Sequence, residues 1–417
     1  MRLLAGLRAA SGLRSFMIRA GVILTAALLT LAAPAVAQDT GPIPVGSGVS
    51  YTALGRWDAA RLNQVLTVDA PKFFSTAITA TPARHAVKLY RITYPSVIPE
   101  QGNRPTVATG LLAIPDTGAS SFPMLSYQHG TVYGKQEVPS FPEQSPETQL
   151  ALAQFAGQGY VVIGADYFGM GTSPEGEGYL VKESHQQATY DMLMAAQAVL
   201  AHLKLTSSKL VLGGWSQGGF VTMALLEKLE RAGVPVAGAA TASAPFDGFA
   251  TLSGFLDFPR PNDADWVSTL FILTAFSFEN YYGLPGLARA LLREEVYAIA
   301  LKAYERQPVD AAQIPTDLHK LINPAFFDPR VFAASAYGRL LREQTTAYRW
   351  VIGSPVRNYF GAKDEVITEG QGQLAMTYQR AMGSGNTRVE AISTGATDHR
   401  GTYATAAPLW KAWFDGL

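Results

Sequence analysis

The spacing of apolar residues changes along the chain and predicts two kinds of β-strand. Between residues 85 and 115, apolar and polar positions alternate and prolines interrupt the runs, which indicates antiparallel strands. From residue 122 onward the apolar runs are short and continuous, at 122–128, 160–166 and 209–215. Runs of this second kind are typical of strands that are buried on both faces.

Segments with helical spacing separate these apolar runs. The alternation predicts an α/β fold built on a mostly parallel, doubly wound sheet. In such a sheet the functional loops gather at the carboxyl ends of the strands. The predicted helices cover 147–158, 185–203, 218–233, 372–383 and 403–417, and later strands are predicted within 236–247, 355–361 and 387–393.

Residues 248–353 contain no clear buried-strand pattern. They have helical propensity, are interrupted by prolines, and carry their longest helical runs at 266–282, 287–307 and 330–351. We therefore predict a helical cap (lid) over 248–353. It would be inserted between a first part of the core at 51–247 and a second part at 354–417.

The first 37 residues have the pattern of a signal peptide. Four arginines precede an apolar run at 21–33, which is short for a membrane span, and small residues follow at 35–37. We expect cleavage after Ala37 and export to the periplasm or the medium, and an uncleaved anchor is the alternative. Residues 38–50 are rich in Gly, Pro and Ser and are expected to form a flexible lead-in.

Composition narrows the classes of function. The 417 residues are 48% hydrophobic, which is enough for one large α/β domain with an insertion or for two ordinary domains. Lys plus Arg and Asp plus Glu both number 33, so net charge indicates no nucleic-acid partner. The absence of cysteine excludes disulfides and a thiol nucleophile, and the scattered histidines lack the paired spacing of a zinc site.

Ser216 is the candidate nucleophile. It lies in Gly214-Trp215-Ser216-Gln217-Gly218, which matches G-x-S-x-G, between a predicted strand and an amphipathic helix. A nucleophile elbow needs small neighbours because its serine occupies a strained turn. The alternative is a plain tight turn with a serine helix cap.

A serine hydroxyl needs a base to remove its proton, and two histidines follow Ser216 in the chain. His399 lies between the last predicted strand and the last predicted helix, where the order nucleophile, acid, base requires the catalytic histidine. An exposed loop histidine is the alternative for it. His319 lies in the predicted cap and has the pattern of a solvated residue at a helix end.

The acid that would orient His399 is predicted to be Asp364, which follows the strand at 355–361 by a short loop. Glu365 and Asp398 compete for this role. Asp398 adjoins His399, and neighbouring side chains usually diverge. A helix cap is the alternative role for Asp364.

The tetrahedral oxyanion of acyl transfer requires fixed N–H donors. We predict the main-chain N–H groups of Gln217 and Thr131, with Gly130 permitting close approach. Candidate residues that contact substrate or shape its pocket are Trp215, His129, Tyr167 and Phe168. For His129 the alternatives are that it orients the loop His129–Thr131 and that it has a structural role in the core. For Tyr167 and Phe168 the alternative is packing against the sheet.

Together these residues resemble the α/β-hydrolase superfamily, and in particular its secretory lipase and esterase branch. The segments that carry the resemblance are "YQHGT", "GADYFGMGTS", "GGWSQGG", "FGAKDEV" and "DHRGT", in that order. The resemblance covers most of the chain after residue 37. It implies an α/β-hydrolase fold with an inserted lid, the triad Ser216, Asp364 and His399, and no cofactor.

The sequence favours a secreted hydrolase of carboxylic esters that works through an acyl-enzyme. Its partner would be a small-molecule or lipid-like ester, without integral membrane association once the signal peptide is removed. A peptidase or polyamide hydrolase with the same triad is the alternative, because acyl transfer alone does not define the leaving group. A non-catalytic binding protein on a hydrolase scaffold is a third interpretation, against which the intact set of Ser, Asp and His argues.

Overall fold

The computed structural model describes residues 41–383, 385 and 387–417. The predicted signal peptide and residues 38–40 of the predicted lead-in lie outside the described residues. The described part of the chain forms a sheet of ten strands: β1 Ile43–Gly46, β2 Val49–Trp57, β3 Val87–Ile98, β4 Arg104–Pro115, β5 Ser121–Gln128, β6 Val161–Ala165, β7 Thr206–Trp215, β8 Gly238–Ala242, β9 Val356–Phe360 and β10 Val389–Ser393.

The strands lie in the order β1-β2-β3-β4-β6-β5-β7-β8-β9-β10. Every pairing from β1 to β4, and that of β4 with β6, is antiparallel. Every pairing from β6 through β10 is parallel. The prediction of a mostly parallel, doubly wound sheet is confirmed, and so is the change of strand pattern near residue 120.

Fourteen α-helices occur in the described residues: α1 Ala59–Gln64, α2 Ala70–Phe74, α3 Pro146–Gln154, α4 Lys182–His202, α5 Gln217–Arg231, α6 Gly248–Asp257, α7 Ser268–Tyr281, α8 Leu287–Leu291, α9 Glu294–Tyr304, α10 Leu318–Leu321, α11 Pro329–Ala334, α12 Ala336–Gln344, α13 Glu369–Ala381 and α14 His399–Asp415. Of the helices that the structure describes, none is long and apolar enough to span a bilayer.

Hydrophobic clusters cover both faces of the sheet. Val161 and Ile163 of β6 belong to a cluster with α4 and α5, whereas Val162 between them belongs to a cluster with α3 and α14. Neighbouring residues of a strand point to opposite faces, so both faces of β6 are buried. This double burial is the physical reason for the continuous apolar runs in the sequence.

Between β8 and β9 the chain forms the helices α6 to α12 and no strand of the sheet. Their apolar residues, including Phe271 and Phe278, extend the hydrophobic cluster that contains α4 and α5. The structure therefore has a helical segment where the sequence predicted the cap. The boundaries at 248 and 353 remain predictions.

Residues 43–50 differ from the expected flexible lead-in. Ile43–Gly46 pairs with β2, and β2 pairs with β3 from Ser50 onward. The Gly and Ser residues provide the turn between the two strands, because Ser47 and Gly48 both have positive φ angles. The composition thus indicated a hairpin turn rather than a flexible segment.

Candidate active site

The candidate functional residues lie on loops that follow parallel strands. Ser216 follows β7, Asp364 lies after β9, His399 lies after β10, and His129 to Thr131 follow β5. Because the carboxyl ends of parallel strands meet at one edge of the sheet, residues far apart in sequence converge there.

Ser216 occupies the sharp turn between β7 and α5. Its φ and ψ angles are 56° and −124°, an unusual conformation for a residue with a side chain. Its main-chain N–H donates to the carbonyl of Ala242 at 2.9 Å, which fixes the turn against the neighbouring strand. The turn therefore has the geometry that the G-x-S-x-G pattern predicts.

The glycines around Ser216 allow close backbone contacts. A Cβ atom at Gly214 would lie 2.2 Å from the carbonyl oxygen of Gly218, and one at Gly218 would lie 2.0 Å from that of Gln128. A Cβ atom at Gly219 would lie 2.5 Å from the Cβ of Ala244. Real Cβ contacts are not this short, so the turn can form only without side chains at these positions.

Ser216, His399 and Asp364 form a continuous hydrogen-bonded chain. The distance from His399 Nε2 to Ser216 Oγ is 2.9 Å, and His399 Nδ1 lies 3.0 and 3.2 Å from the two carboxylate oxygens of Asp364. Asp364 Oδ1 also accepts hydrogen bonds from the main-chain N–H groups of Val366 and Ile367. These bonds hold the carboxylate toward the imidazole ring.

The electrostatics of the pair favour its charged form. Burial by itself would raise the pKa of Asp364, but attraction to His399 and hydrogen bonds hold it below its ordinary value. Burial by itself would lower the pKa of His399, but the Asp364 carboxylate holds it above its ordinary value. The aspartate therefore stabilises a protonated imidazole at this position.

The competing residues have other contacts. Glu365 Oε2 accepts a hydrogen bond from the main-chain N–H of His399 at 2.9 Å. Asp398 caps α14, because its Oδ1 accepts from the main-chain N–H of Gly401 at 2.7 Å. His319 is exposed and stacks on Phe327 at a ring distance of 4.1 Å. His399 itself is the first residue of α14, whereas the sequence had predicted a loop position for it.

The predicted oxyanion donors flank Ser216. Gln217 is the first residue of α5, so its N–H cannot bond within the helix. Within the described part of the chain, the N–H groups of Gln217 and Thr131 donate to no protein acceptor. The N–H of Gly130 is occupied, because it donates to Glu147 Oε2 at 2.9 Å. Gly130 thus remains a close-approach position, with the carbonyl oxygen of Trp215 only 3.2 Å from where its Cβ would lie.

A cavity of about 420 Å³ opens beside Ser216. Its wall includes His399, Thr131 and Trp215, together with Trp266 from the inserted segment. Trp215 also donates from its ring N–H to the carbonyl of His399 at 3.1 Å. The described residues contain no cluster of three or more His, Asp or Glu side chains that could hold a metal ion.

His129, Tyr167 and Phe168 do not line this cavity. They are 1%, 2% and 2% exposed, and the rings of His129 and Tyr167 stack at 4.1 Å. The ring nitrogens of His129 contact the carbonyls of Gly130 and Asp166, and burial lowers its pKa to about 4. The prediction of substrate contact for these three residues is therefore corrected to packing beside the loop His129–Thr131, where Tyr167 OH donates to the carbonyl of His129 and the Tyr167 ring contacts His185 of α4.

Glu147 of α3 is a residue that the sequence reasoning missed. It is 4% exposed, lines the cavity, and accepts hydrogen bonds from Gly130 N–H and Tyr127 OH, both at 2.9 Å. Burial raises its pKa to about 7. In the sequence it is one glutamate in the first turn of a helix, which gives no signal of burial.

Comparisons with known proteins identify the family and support the fold. The profile described as the alpha/beta hydrolase family matches residues 129–399. A putative hydrolase from Legionella pneumophila has a TM-score of 0.74 at 23% identity, over 89% of this chain and 95% of that chain. A variant of the rice cell wall degrading esterase LipA from Xanthomonas oryzae has a TM-score of 0.74 at 20% identity, over 88% and 97%.

Lipase A from Candida antarctica, in its closed state, has a TM-score of 0.60 at 15% identity, over 87% of this chain and 82% of that chain. At these identities the structural neighbours show the fold alone. Among curated proteins no sequence matches this one. The family profile covers more than half of the 417 residues and spans the segment from His129 to His399, so the chain is a hydrolase that belongs to the alpha/beta hydrolase family.

Proposed function

We propose that the protein is a serine hydrolase that cleaves carboxylic esters through an acyl-enzyme on Ser216. The observation that carries this proposal is the chain of hydrogen bonds from Asp364 through His399 to Ser216, at 3.0 and 2.9 Å. Nucleophile, base and orienting acid are within the reach that such catalysis requires. The cavity beside Ser216 provides space for a substrate.

In the first half-reaction, His399 Nε2 removes the proton of Ser216 as Oγ attacks the ester carbonyl carbon. The carbonyl oxygen becomes an oxyanion, to which the N–H groups of Gln217 and Thr131 would donate. His399 then gives its proton to the alcohol oxygen as the carbon–oxygen bond breaks. The alcohol leaves and the acyl group stays on Ser216.

In the second half-reaction, a water molecule replaces the alcohol. His399 removes a proton from the water, and the hydroxyl attacks the acyl carbon. The proton then passes to Ser216 Oγ as the carboxylic acid leaves. Asp364 assists both steps because it stabilises the imidazolium that forms each time.

Esters are the first substrate class to test. Two structural neighbours are described as an esterase and a lipase, although at 20% and 15% identity they support only a shared fold. The same triad could attack an amide, so acyl anilides form the second arm of the assay. No feature of the described residues favours the amide.

The test is Ser216→Ala. Loss of the nucleophile should lower kcat for p-nitrophenyl esters by on the order of 10⁶, while folding persists. Ser354→Ala is the control, because Ser354 does not line the cavity. This variant should keep the wild-type activity. Ester turnover that survives Ser216→Ala would falsify the proposal, and Ser216-dependent turnover of anilides alone would replace the ester by an amide.

The proposal includes export, which rests on the pattern of residues 1–37. Mass spectrometry of the exported protein should give a chain that begins at Gln38. An intact residue 1 in that protein would contradict this part of the proposal and leave the chemistry unaffected.

A further inference from the structure

A large and a small cavity meet at Ser216. The large one, of about 420 Å³, includes His399 in its wall. The small one, of about 20 Å³, lies against Ser216 but is not lined by His399. Trp266 of the inserted segment contributes to both walls.

The chemistry of the proposed reaction assigns one part of the ester to each cavity. His399 Nε2 must protonate the alcohol oxygen as it leaves, so the alcohol has to lie on the His399 side of Ser216. That side is the large cavity. The acyl chain points away from the alcohol across the carbonyl carbon, and the space available to it is the small cavity.

The size of the small cavity limits the acyl chain. At about 20 Å³ the small cavity has roughly one twentieth of the volume of the large one, at about 420 Å³, so it suits a short acyl chain and not a bulky one. Its wall is apolar and includes Leu252, Leu270 and Ile367, which suits a methyl or an ethyl group.

Two residues in the wall of the small cavity are hydrogen-bonded to Asp364. Val366 and Ile367 both line this cavity, and their main-chain N–H groups donate to Asp364 Oδ1 at 2.9 and 2.8 Å. Movement of this wall to admit a longer chain would break the bonds that hold the Asp364 carboxylate. The limit on chain length is therefore coupled to the catalytic geometry.

The large cavity differs in size and chemistry. Phe73, Tyr133, Trp215 and Trp266 present aromatic surface in its wall. Arg400 lies at the same wall, where its guanidinium stacks over Phe73 at 4.7 Å and donates to the carbonyl of Phe73. Aromatic rings fit best against such a surface.

We propose that the protein selects esters with a short acyl group, acetyl or propionyl, on a bulky aromatic alcohol. This specificity rests on the proposed function, because it assigns the two cavities from the role of His399 in that reaction. The acyl group occupies the small apolar cavity and the alcohol occupies the large aromatic one.

A pair of isomeric esters tests the assignment in the wild-type protein. The ester 2-phenylethyl acetate carries its ring on the alcohol, and ethyl phenylacetate has the same atoms with the ring on the acyl group. We expect kcat/KM to be at least about tenfold higher for 2-phenylethyl acetate. Equal values, or a preference for ethyl phenylacetate, would overturn the inference.

A chain-length series with p-nitrophenyl esters tests the size limit. Activity should be highest for acetate or propionate and fall about tenfold or more by hexanoate. Leu270→Ala enlarges the small cavity and should move the optimum to longer chains. Leu273→Ala, on the same helix and also buried but absent from both walls, should keep the wild-type order of substrates.

The outcomes separate the two proposals. Ser216-dependent hydrolysis with an optimum at hexanoate or longer overturns the short-acyl inference and leaves the ester hydrolase intact. Ester hydrolysis that persists in Ser216→Ala overturns the proposed function. If Leu270→Ala fails to fold, Leu252→Ala serves instead, because Leu252 of α6 lines the same small cavity and its truncation enlarges that cavity. An unchanged optimum of acyl chain length in a folded variant counts against the inference.

Discussion

The buried carboxyl group of Glu147 is hydrogen-bonded to the loop His129–Thr131. Its Oε2 accepts from Gly130 N–H, one residue before Thr131, and from Tyr127 OH. The groups that act on its charge include His399 and Arg400 of α14, which favour the carboxylate. Burial opposes them more strongly and raises the pKa to about 7 from an ordinary value of 4.5.

The raised pKa predicts that stability changes with pH. The folded protein binds the Glu147 proton more tightly than the unfolded chain does. The contribution of this group to the free energy of unfolding is therefore fully present below pH 4.5 and is lost as pH rises to about 7. The loss amounts to about 3 kcal/mol. Glu147→Gln keeps an acceptor for both hydrogen bonds but cannot ionise. Its free energy of unfolding, relative to wild type, should therefore increase by about that amount over this pH range.

Urea unfolding at several pH values measures this difference. The exposed Glu143→Gln, in the turn before α3, controls for the loss of one carboxylate. A Glu147→Gln curve that runs parallel to the wild-type curve from pH 4.5 to 8 would show that burial does not hold the proton on Glu147.

At the residue scale the sequence predicted what depends on local pattern or chain order. The sharp turn at Ser216 could be predicted because its neighbouring glycines are required by the turn itself. The placement of Asp364 and His399 within hydrogen-bonding distance of each other and of Ser216 could be predicted because the strands that precede them could be recognised. For Tyr167 the sequence left substrate contact and packing open, and Glu147 was missed, because burial of both side chains depends on packing by distant segments, which leaves no local signal.

The packing of α5 against the sheet depends on the absence of a side chain at Gly218, in the turn that follows β7. A Cβ atom at Gly218 would lie 2.0 Å from the carbonyl oxygen of Gln128, at the end of β5. That oxygen belongs to the backbone of a central strand, so it cannot move aside cheaply. The helix α5 can therefore approach the sheet only with glycine at this position.

Gly218→Ala should consequently destabilise the protein by several kcal/mol or prevent folding. Gly254→Ala is the matched control, because Gly254 also lies in a helix but has no atom within 4 Å of the position that an added methyl group would occupy. There alanine should stabilise the protein by up to about 1 kcal/mol. Thermal unfolding of both variants decides the point, and a Gly218→Ala protein as stable as wild type would contradict the close approach.

The sequence predicted the helices and strands well where a segment is buried along its whole length. It predicted them less well where a helix is interrupted. Residues 287–307 were predicted as one run of helical propensity, and the structure divides the run, because α8 ends at Leu291 and α9 begins at Glu294. Between them Leu292 forms an isolated antiparallel bridge with Ile322, which lies well beyond the end of α9 in the chain. The break is caused by a partner outside the segment, so its own helical propensity could not reveal it.

At the scale of the molecule, a buried ion pair joins the inserted segment to the core. Arg306, after α9, pairs with Glu177 in the loop between β6 and α4, and their side chains are 10% and 7% exposed. Arg306 also donates to the carbonyl of Tyr133 at 3.2 Å. The residues are 129 positions apart, so the sequence could predict an inserted helical segment but not what attaches it.

Removal of Arg306 leaves the Glu177 carboxylate buried without its partner. Arg306→Ala should therefore lower the free energy of unfolding by roughly 3–5 kcal/mol at neutral pH. Arg289→Ala breaks an ion pair with Glu294 that is largely exposed and lies in the same segment, so it should cost much less than Arg306→Ala. The double variant Glu177→Gln, Arg306→Met removes both charges of this pair, leaves neither without a partner, and should recover most of the stability. Equal losses for Arg306→Ala and Arg289→Ala, measured by urea unfolding, would mean that this ion pair does not attach the segment to the core.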